Sequence, residues 1–217
     1  MCGIIGYYSR QVTSESLDLL FKLILESKIR GLHSFGWAWY EESILSNNKQ
    51  QILPTFDQLE KFIGYKDFRF IYHNRYSTSG DYHNVINNQP IVDSGIAVAV
   101  NGVITMTPKD EWFERFGTSC ETENDAEILL RWLDEYVTEY VELQGMKIGS
   151  LAAVYLMDNE LYTLRNIHRP LHYIRKYDSV YIVSTRDIAR RAGIPQSEVY
   201  DIVPNKQIKV EDLLEVL

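Results

Sequence analysis

The chain has 217 residues, 45% of them hydrophobic and 12% aromatic, which is enough apolar material for a sizeable core. Its net charge of −8 excludes general nucleic-acid binding, because no basic surface is available to meet phosphates. No apolar run approaches the ~20 residues of a membrane span, and no secretion signal opens the chain. The two cysteines, Cys2 and Cys120, form neither a disulfide framework nor a zinc site. We therefore expect a cytoplasmic protein that uses no metal and no cofactor and contacts neither nucleic acid nor membrane.

The hydrophobic pattern predicts mixed strands and helices up to about residue 142. A strand over 2–8 is apolar on both faces, and a helix over 14–29 follows it, capped by Ser14 or Ser16. The next predicted elements, in order, are strands over 35–40 and 50–53, a short helix over 56–63, a strand over 68–72, a loop over 81–90, a strand over 96–100, and helices over 108–116 and 123–142.

After Gly149 the pattern is mostly strand, with a tight hairpin turn at Asp158-Asn159-Glu160. The predicted strands cover 150–157, 160–165, 172–176, 179–184 and 198–203, with a helical turn at 186–192. Neither an internal repeat nor a linker divides the chain, so we interpret residues 1–217 as one domain. Strands that are apolar on both faces, together with helices clustered at 14–29 and 108–142, predict stacked sheets with helices outside.

Cys2 stands directly behind Met1, and a small residue at this position permits removal of the methionine. The mature chain would then begin with a thiol and a free α-amine on the same residue. Because an α-amine has a reference pKa of ~7.7–8.0, a useful fraction is neutral and can take the thiol proton, directly or through a water. Cys2 is therefore a candidate nucleophile that needs no histidine. Its position alone would equally fit an incidental cysteine in a buried first strand.

Four further segments carry polar residues at the ends of predicted elements. They are Arg30-Gly31-Leu32-His33-Ser34-Phe35-Gly36, His73-Asn74-Arg75-Tyr76-Ser77-Thr78-Ser79-Gly80, Asn101-Gly102 and Glu123-Asn124-Asp125-Ala126-Glu127. With the terminal Cys-Gly-Ile-Ile-Gly, their order and spacing resemble the glutaminase domain of class II glutamine amidotransferases, which are N-terminal nucleophile hydrolases. The resemblance covers about the whole chain. It implies an α+β fold, a four-layer αββα sandwich of two stacked, mainly antiparallel sheets.

Within that family, two motifs are most similar to the amidophosphoribosyltransferase branch. They are Arg75-Tyr76-Ser77-Thr78-x-Gly80 and Asn88-Gln89-Pro90. Two departures stand beside them. His33 replaces an acid that commonly follows the Arg-Gly of the family, and Ser79 stands where some branches carry histidine. We interpret His33 as a surface or structural histidine rather than a new catalytic base.

The resemblance implies a role for each polar residue in hydrolysis of the glutamine γ-amide. The Asn101 side chain and the Gly102 N–H would stabilise the tetrahedral oxyanion. Arg75 offers a fork for the substrate carboxylate, Asp125 a counter-charge for its ammonium group, and Thr78 a hydroxyl contact. Arg30 and Gly31 would shape the pocket around Cys2, with Tyr76 as a gate. The simpler alternatives are an Asn-Gly turn, an acid at a helix N-terminus and a packed aromatic.

The chain carries no phosphoribosyl-pyrophosphate motif, sugar-isomerase half or adenylation loop, so the acceptor chemistry is missing from it. We therefore expect a stand-alone glutaminase that takes L-glutamine as substrate and supplies ammonia to a separate synthase. One alternative is an amidohydrolase of another γ-glutamyl compound, since Arg75 and Asp125 fit any free glutamyl head. The other is a non-catalytic domain that binds a partner.

Overall fold

The computed structural model describes residues 2–77, 80–135 and 149–215. Its strands are β1 (Gly3–Gln11), β2 (Ser34–Glu41), β3 (Ile44–Gln50), β4 (Lys66–Arg75), β5 (Ile91–Asp93), β6 (Ile96–Val103), β7 (Ser150–Met157), β8 (Glu160–Arg165), β9 (His172–Lys176), β10 (Ser179–Val183), β11 (Tyr200–Asp201) and β12 (Ile208–Lys209). Its α-helices are α1 (Ser14–Ser27), α2 (Asp57–Glu60), α3 (Trp112–Phe116), α4 (Ala126–Glu135) and α5 (Arg186–Arg191).

The strands form two antiparallel sheets. The first has the order β11-β9-β10-β1-β4-β2-β3, and the second has the order β12-β8-β7-β6-β5. The two sheets pack face to face through a central apolar layer that includes Ile4, Ile71, Ala99 and Val154. This layer explains why the strands that form it are apolar on both faces.

Helices cover the outer face of each sheet. Helix α1 packs its buried leucines against the first sheet, in a cluster with aromatic residues such as Trp37 and Phe70. Helix α4 packs Leu129 and Leu133 against the second sheet, beside Tyr155. The predicted four-layer αββα sandwich is confirmed. No helix in the described ranges is long and apolar enough to cross a membrane.

Several predicted boundaries need correction. The cap of α1 is Thr13, whose side chain accepts from the Ser16 N–H, while Ser16 occupies the third helical position and completes the capping box. The strand predicted at 50–53 lies instead at β3, which was hidden because an edge strand tolerates polar residues. The predicted strand at 198–203 shortens to the two residues of β11.

The predicted helices near the middle of the chain also begin later. Residues 109–111 form a 3-10 turn, and only 112–116 are α-helical. Helix α4 begins at Ala126 rather than at residue 123, because Asn124 turns its side chain to cap the Ala126 N–H. The predicted stretch from 136 to 142 lies outside the described residues.

Candidate active site

Strand register brings the predicted site residues to one end of the central layer. Gly3 pairs with Asn74, so Cys2 and Arg75 stand side by side where β1 begins and β4 ends. Alternation along β1 and β4 places both on the face that carries Ile4 and Ile71, which is the face toward the second sheet. In β6 the same reasoning places Asn101 on the inner face, because Ala97 and Ala99 lie there. Cys2 and Arg75 on the first sheet therefore face Asn101 on the second sheet across the gap between the sheets.

The thiol of Cys2 is held beside the end of β4. Its Sγ lies 3.7 Å from the Tyr76 carbonyl oxygen, to which it donates. Burial raises the pKa of the Cys2 thiol, although the backbone of Tyr76 and the charge of Arg75 act in the opposite direction. The thiol is therefore mainly protonated at neutral pH, and a nucleophile at this position needs a base to take its proton.

Arg75 is buried, with only 2% of its surface exposed, and its guanidinium is anchored on both sides. Nη1 donates to Oδ1 of Asn88 over 2.6 Å, and Nη2 donates to the Gly80 carbonyl over 3.2 Å. Burial lowers the pKa of Arg75, opposed by the charges of Cys2, Asp81 and Asp125. It remains a cation because a guanidinium holds its proton throughout the physiological range.

Asn101 is a buried polar residue whose side chain makes no hydrogen bond to the described part of the chain. It is 1% exposed, and neither its Oδ1 nor its Nδ2 has a hydrogen-bond partner among the described residues. Buried amides are almost always paired, so this side chain is suited to a group that arrives from outside. Gly102 follows it at a point of very close strand approach. A Cβ on Gly102 would lie 2.0 Å from the Ser150 carbonyl oxygen, so only glycine fits.

Asp125 secures the chain that follows Gly102. Its Oδ2 accepts from the backbone N–H groups of Ile104 and Thr105, at 2.7 Å and 3.2 Å. Burial raises the pKa of Asp125, while those two N–H donors and the charge of Arg75 lower it in part. The carboxylate is close enough to Arg75 and Cys2 to influence their ionisation. The expected position at the start of a helix also holds, since α4 begins at the next residue.

The residues predicted to shape the pocket lie around the same strand end. A Cβ on Gly31 would lie 2.4 Å from the Arg75 carbonyl oxygen, so the loop before β2 crosses directly over the end of β4. Arg30 carries a charge that interacts with Cys2 and with Arg169, and burial lowers its pKa. The Tyr76 side chain is 50% exposed. Thr78 and Ser79 lie outside the described residues, so the contact predicted for Thr78 stays a prediction.

A polar clamp formed by residues 87–89 was not predicted as part of the site. Asn87 donates to the Glu123 carboxylate at 3.0 Å and accepts from the Glu123 N–H at 2.9 Å. Asn88 holds Arg75, and Gln89 accepts from the Val100 N–H at 2.6 Å. The clamp therefore joins β4, β6 and the start of α4. The available signal was the run of three amides in the predicted loop, of which Asn88 and Gln89 belong to the family motif Asn88-Gln89-Pro90.

Two further buried residues support this end of the sheets. The Asn74 amide donates to the carbonyl oxygens of Ser27 and Gly31, at 2.9 Å and 3.0 Å, and so ties the end of α1 to the loop. A Cβ on Gly3 would lie 2.1 Å from Oδ1 of Asn74, which explains the glycine after Cys2.

His73 is fully buried, and burial lowers its pKa to about 3, so the imidazole is neutral.

Comparison with known proteins gives relatives of one kind. No family model matches the chain. An isomerizing glutamine–fructose-6-phosphate aminotransferase of Bradyrhizobium diazoefficiens is 32% identical over 175 residues, covering 74% of this chain and 28% of that protein. The protein of the same name from Sulfolobus acidocaldarius is 28% identical over 212 residues, covering 92% of this chain and 32% of that protein.

Solved structures share the fold at lower identity. Glutamine phosphoribosylpyrophosphate amidotransferase from B. subtilis matches with a TM-score of 0.70 and 19% identity, over 95% of this chain and 46% of that chain. A glutamine aminotransferase class-II domain protein from Silicibacter pomeroyi matches with a TM-score of 0.52 and 13% identity, over 95% of this chain and 93% of that chain.

Two stacked antiparallel sheets with helices on both outer faces are the fold that N-terminal nucleophile hydrolases share, and Cys2 stands here at the start of a central strand. Within that fold, the chain belongs to the class II glutamine amidotransferases. It spans 28% and 32% of the length of the two sequence relatives. Those relatives are named for fructose 6-phosphate, whereas the B. subtilis structure is named for phosphoribosylpyrophosphate. The predicted kinship with the amidophosphoribosyltransferase branch therefore stays a prediction.

Proposed function

We propose that the chain hydrolyses the γ-amide of L-glutamine through a thioester on Cys2 and releases ammonia for transfer to an acceptor. The observation that carries this proposal is the buried Asn101 carboxamide, which has no hydrogen-bond partner among the described residues and faces the same gap as Cys2 and Arg75. An oxyanion site is expected to hold a hydrogen-bond donor in place for the negative charge that develops on the substrate oxygen only during the reaction.

The first chemical step is attack of the Cys2 sulfur on the γ-carbon of glutamine. After loss of Met1, the α-amine of Cys2 takes the thiol proton as the S–C bond forms, and the carbonyl electrons move to an oxyanion that Asn101 and the Gly102 N–H stabilise. When the oxyanion collapses, the C–N bond breaks, and the leaving nitrogen takes the proton from the α-ammonium group and departs as ammonia. The raised pKa of the thiol supports the need for this base.

The second step returns the enzyme to its starting state. A water molecule gives a proton to the α-amine and attacks the thioester carbon, and a second oxyanion forms at the same donors. Its collapse breaks the C–S bond, releases glutamate and returns the proton to sulfur. No metal or cofactor takes part in the proposed sequence.

Recognition of glutamine is assigned to the charged residues beside the thiol. Arg75 provides a planar fork for the α-carboxylate, and its anchoring by Asn88 holds that fork in place. Asp125 provides the counter-charge for the α-ammonium group, and Thr78 remains the predicted third contact. Arg30, Gly31 and Tyr76 form the wall around Cys2.

The ammonia is proposed to reach a synthase domain or subunit that docks near Tyr76, because free ammonia becomes mostly unreactive ammonium in neutral water. The names of the two sequence relatives, which describe transfer from glutamine to a sugar phosphate, support an acceptor of this general kind. A thiol nucleophile also fits a reducing compartment, and we propose the cytoplasm.

Three measurements on the purified protein test the proposal. Intact mass reports whether Met1 is absent, a coupled assay reports glutamate formed from glutamine, and mass spectrometry reports labelling by a glutamine analogue that carries an electrophilic carbon in place of the amide. We expect glutamine hydrolysis and labelling at Cys2, both abolished in Cys2→Ala and retained in Cys120→Ala. Turnover by Cys2→Ala, or by a chain blocked by an N-terminal tag, would refute the mechanism. Efficient hydrolysis of another γ-glutamyl amide with none of glutamine would favour the amidohydrolase alternative, and glutamine binding without any turnover would favour a binding domain.

A further inference from the structure

His33 lies between two aromatic rings next to the proposed nucleophile. Its imidazole stacks on Tyr76, with ring centroids 5.2 Å apart and planes at 24°, and on Tyr82, with centroids 4.7 Å apart and planes at 18°. Its backbone N–H donates to the Arg75 carbonyl over 3.0 Å. The backbone N–H of Ser77 donates to the imidazole Nδ1 over 2.9 Å. His33 therefore contacts the Tyr76–Ser77 peptide, whose carbonyl receives the Cys2 thiol, and also the peptide that precedes it.

The hydrogen bond from Ser77 fixes the protonation of the ring. A backbone N–H is always a donor, so Nδ1 must be the unprotonated nitrogen that accepts. When the imidazole gains a second proton, both ring nitrogens become donors and this bond cannot form. The N–H of Ser77 then faces another N–H, and the contact becomes repulsive.

We propose that His33 is a positioning residue that holds the Tyr76–Ser77 backbone beside Cys2 only while its imidazole is neutral, so that acidification loosens the site. The inference deepens the proposed function, on which its catalytic consequence rests. The consequence arises because the Tyr76 carbonyl contacts the thiol and the Arg75 guanidinium is assigned to the substrate carboxylate. Loosening at this point should weaken glutamine capture more than the chemical step.

The ionisable groups around His33 are few in the part of the chain that the structure describes. The phenols of Tyr76 and Tyr82 cover its two faces, and the His83 ring packs against Tyr82 in a tilted arrangement, with centroids 4.2 Å apart. The Asp81 carboxylate accepts from the His83 N–H at 2.9 Å. Of the nearby arginines, Arg75 borders His33 through its backbone carbonyl, and Arg30 stands three residues earlier in the chain. His83 is therefore the control residue for experiments on His33.

The direct test is nuclear magnetic resonance of the full chain over the pH range in which histidines titrate. We expect the Ser77 amide proton to shift in step with the titration of the His33 ring, to lose that shift in His33→Asn, and to keep it in His83→Asn. A Ser77 amide that does not respond to His33 titration, or that responds only when His83 is present, overturns the proposal. This result does not depend on glutaminase activity, so it separates failure of the positioning role from failure of the proposed function.

Steady-state kinetics test the consequence for catalysis. Asparagine keeps an acceptor oxygen but cannot titrate, whereas phenylalanine keeps the stacking but cannot accept. In the unaltered chain we expect the glutamine KM to rise roughly two- to tenfold on acidification, in proportion to loss of one neutral hydrogen bond. His33→Asn should remove this component of the pH dependence, and His33→Phe should show the raised KM at all pH values. A His33→Asn profile equal to that of the unaltered chain overturns the catalytic role, and it remains informative if His33→Phe fails to fold.

Discussion

The Arg75 guanidinium donates to Oδ1 of Asn88 over 2.6 Å, and Asn88 in turn donates to the Tyr82 carbonyl over 2.8 Å. The proposed carboxylate fork is thus held by a loop residue thirteen positions away in sequence. Hydrogen bonds to charged groups contribute about 1.5–3 kcal/mol, which is more than an ordinary neutral bond. The orientation of Arg75 therefore depends on Asn88 as well as on β4.

We expect Asn88→Ala to raise the glutamine KM by roughly ten- to a hundredfold, because the guanidinium loses its anchor and samples other directions. The effect on kcat should be smaller, since Arg75 is assigned to binding rather than chemistry. Initial-rate measurements give both constants. Asn47→Ala, on the exposed surface of β3, is the matched control and should change neither. A variant with unchanged KM and reduced kcat would show that the Arg75 assignment is wrong.

A second prediction compares two buried asparagines on either side of strand β7, Asn101 on β6 and Asn166 directly after β8. Asn101 has no hydrogen-bond partner among the described residues, whereas Oδ1 of Asn166 accepts from the N–H groups of Leu151 and His168, each at 3.1 Å. We expect Asn101→Ala to reduce kcat by about 10²–10³ without lowering the melting temperature, because the removed group stabilises only the oxyanion. Asn166→Ala should lower the melting temperature, because it leaves two donors without their acceptor. Equal loss of stability in both variants would indicate that Asn101 is structural.

Three strands in the second half of the chain have the predicted bounds. Strand β7 is an apolar run that is buried along almost its whole length, whereas β8 and β9 are shorter and contain both buried and half-buried residues. Strand β3 could not be located in this way, because it pairs along one edge only and five of its seven residues are polar. Strands β5 and β12 were also missed, since runs of three and two residues carry no measurable period.

The candidate site was likewise predicted only in part. Motif order placed Cys2, Arg75 and Asn101 at strand ends, and the register brings these ends together. The contacts of Asn87 and Gln89 could not be predicted, because each partner is remote in sequence and any amide can serve as donor or acceptor. His33 was interpreted as a surface or structural histidine, and its contacts are structural ones, made with the residues beside the nucleophile. A single sequence shows residue types but not the neighbours that give them a role.

A third prediction separates steric crowding from backbone strain. A Cβ on Gly102 would lie 2.0 Å from a backbone oxygen of Ser150, which cannot move aside without opening the β6–β7 pair. Gly95 has a positive φ of 79° but open space around its Cβ position. We expect Gly95→Ala to cost roughly 1 kcal/mol and Gly102→Ala to cost about 3 kcal/mol or more, with loss of activity. Denaturant titration of both variants measures the difference, and equal costs would contradict the close approach.

The last prediction concerns the stability cost of Asp125. Burial raises the pKa of this carboxyl above its usual value despite the N–H groups of Ile104 and Thr105. A carboxyl whose pKa is higher in the folded chain than in the unfolded chain favours the folded state when protonated, and that contribution is lost as the pH rises through the folded pKa. The ionised Asp125 therefore destabilises the chain at neutral pH.

We expect Asp125→Asn to raise the melting temperature at neutral pH, because the amide oxygen still accepts from both N–H groups while the buried charge is gone. The gain should shrink as the pH is lowered through the pKa of the carboxyl, since the original side chain then becomes neutral as well. The same variant should capture glutamine poorly, having lost the counter-charge for the ammonium group. Asp187→Asn is the matched control and should lower the melting temperature at neutral pH instead of raising it. Hydrogen bonds from Arg191 and Arg190 lower the pKa of Asp187, so its ionised form favours the folded state. Thermal melts across a pH series, with the glutamine KM measured alongside, test both variants. If Asp125→Asn is less stable than the original chain at neutral pH, the carboxylate serves the fold rather than the substrate.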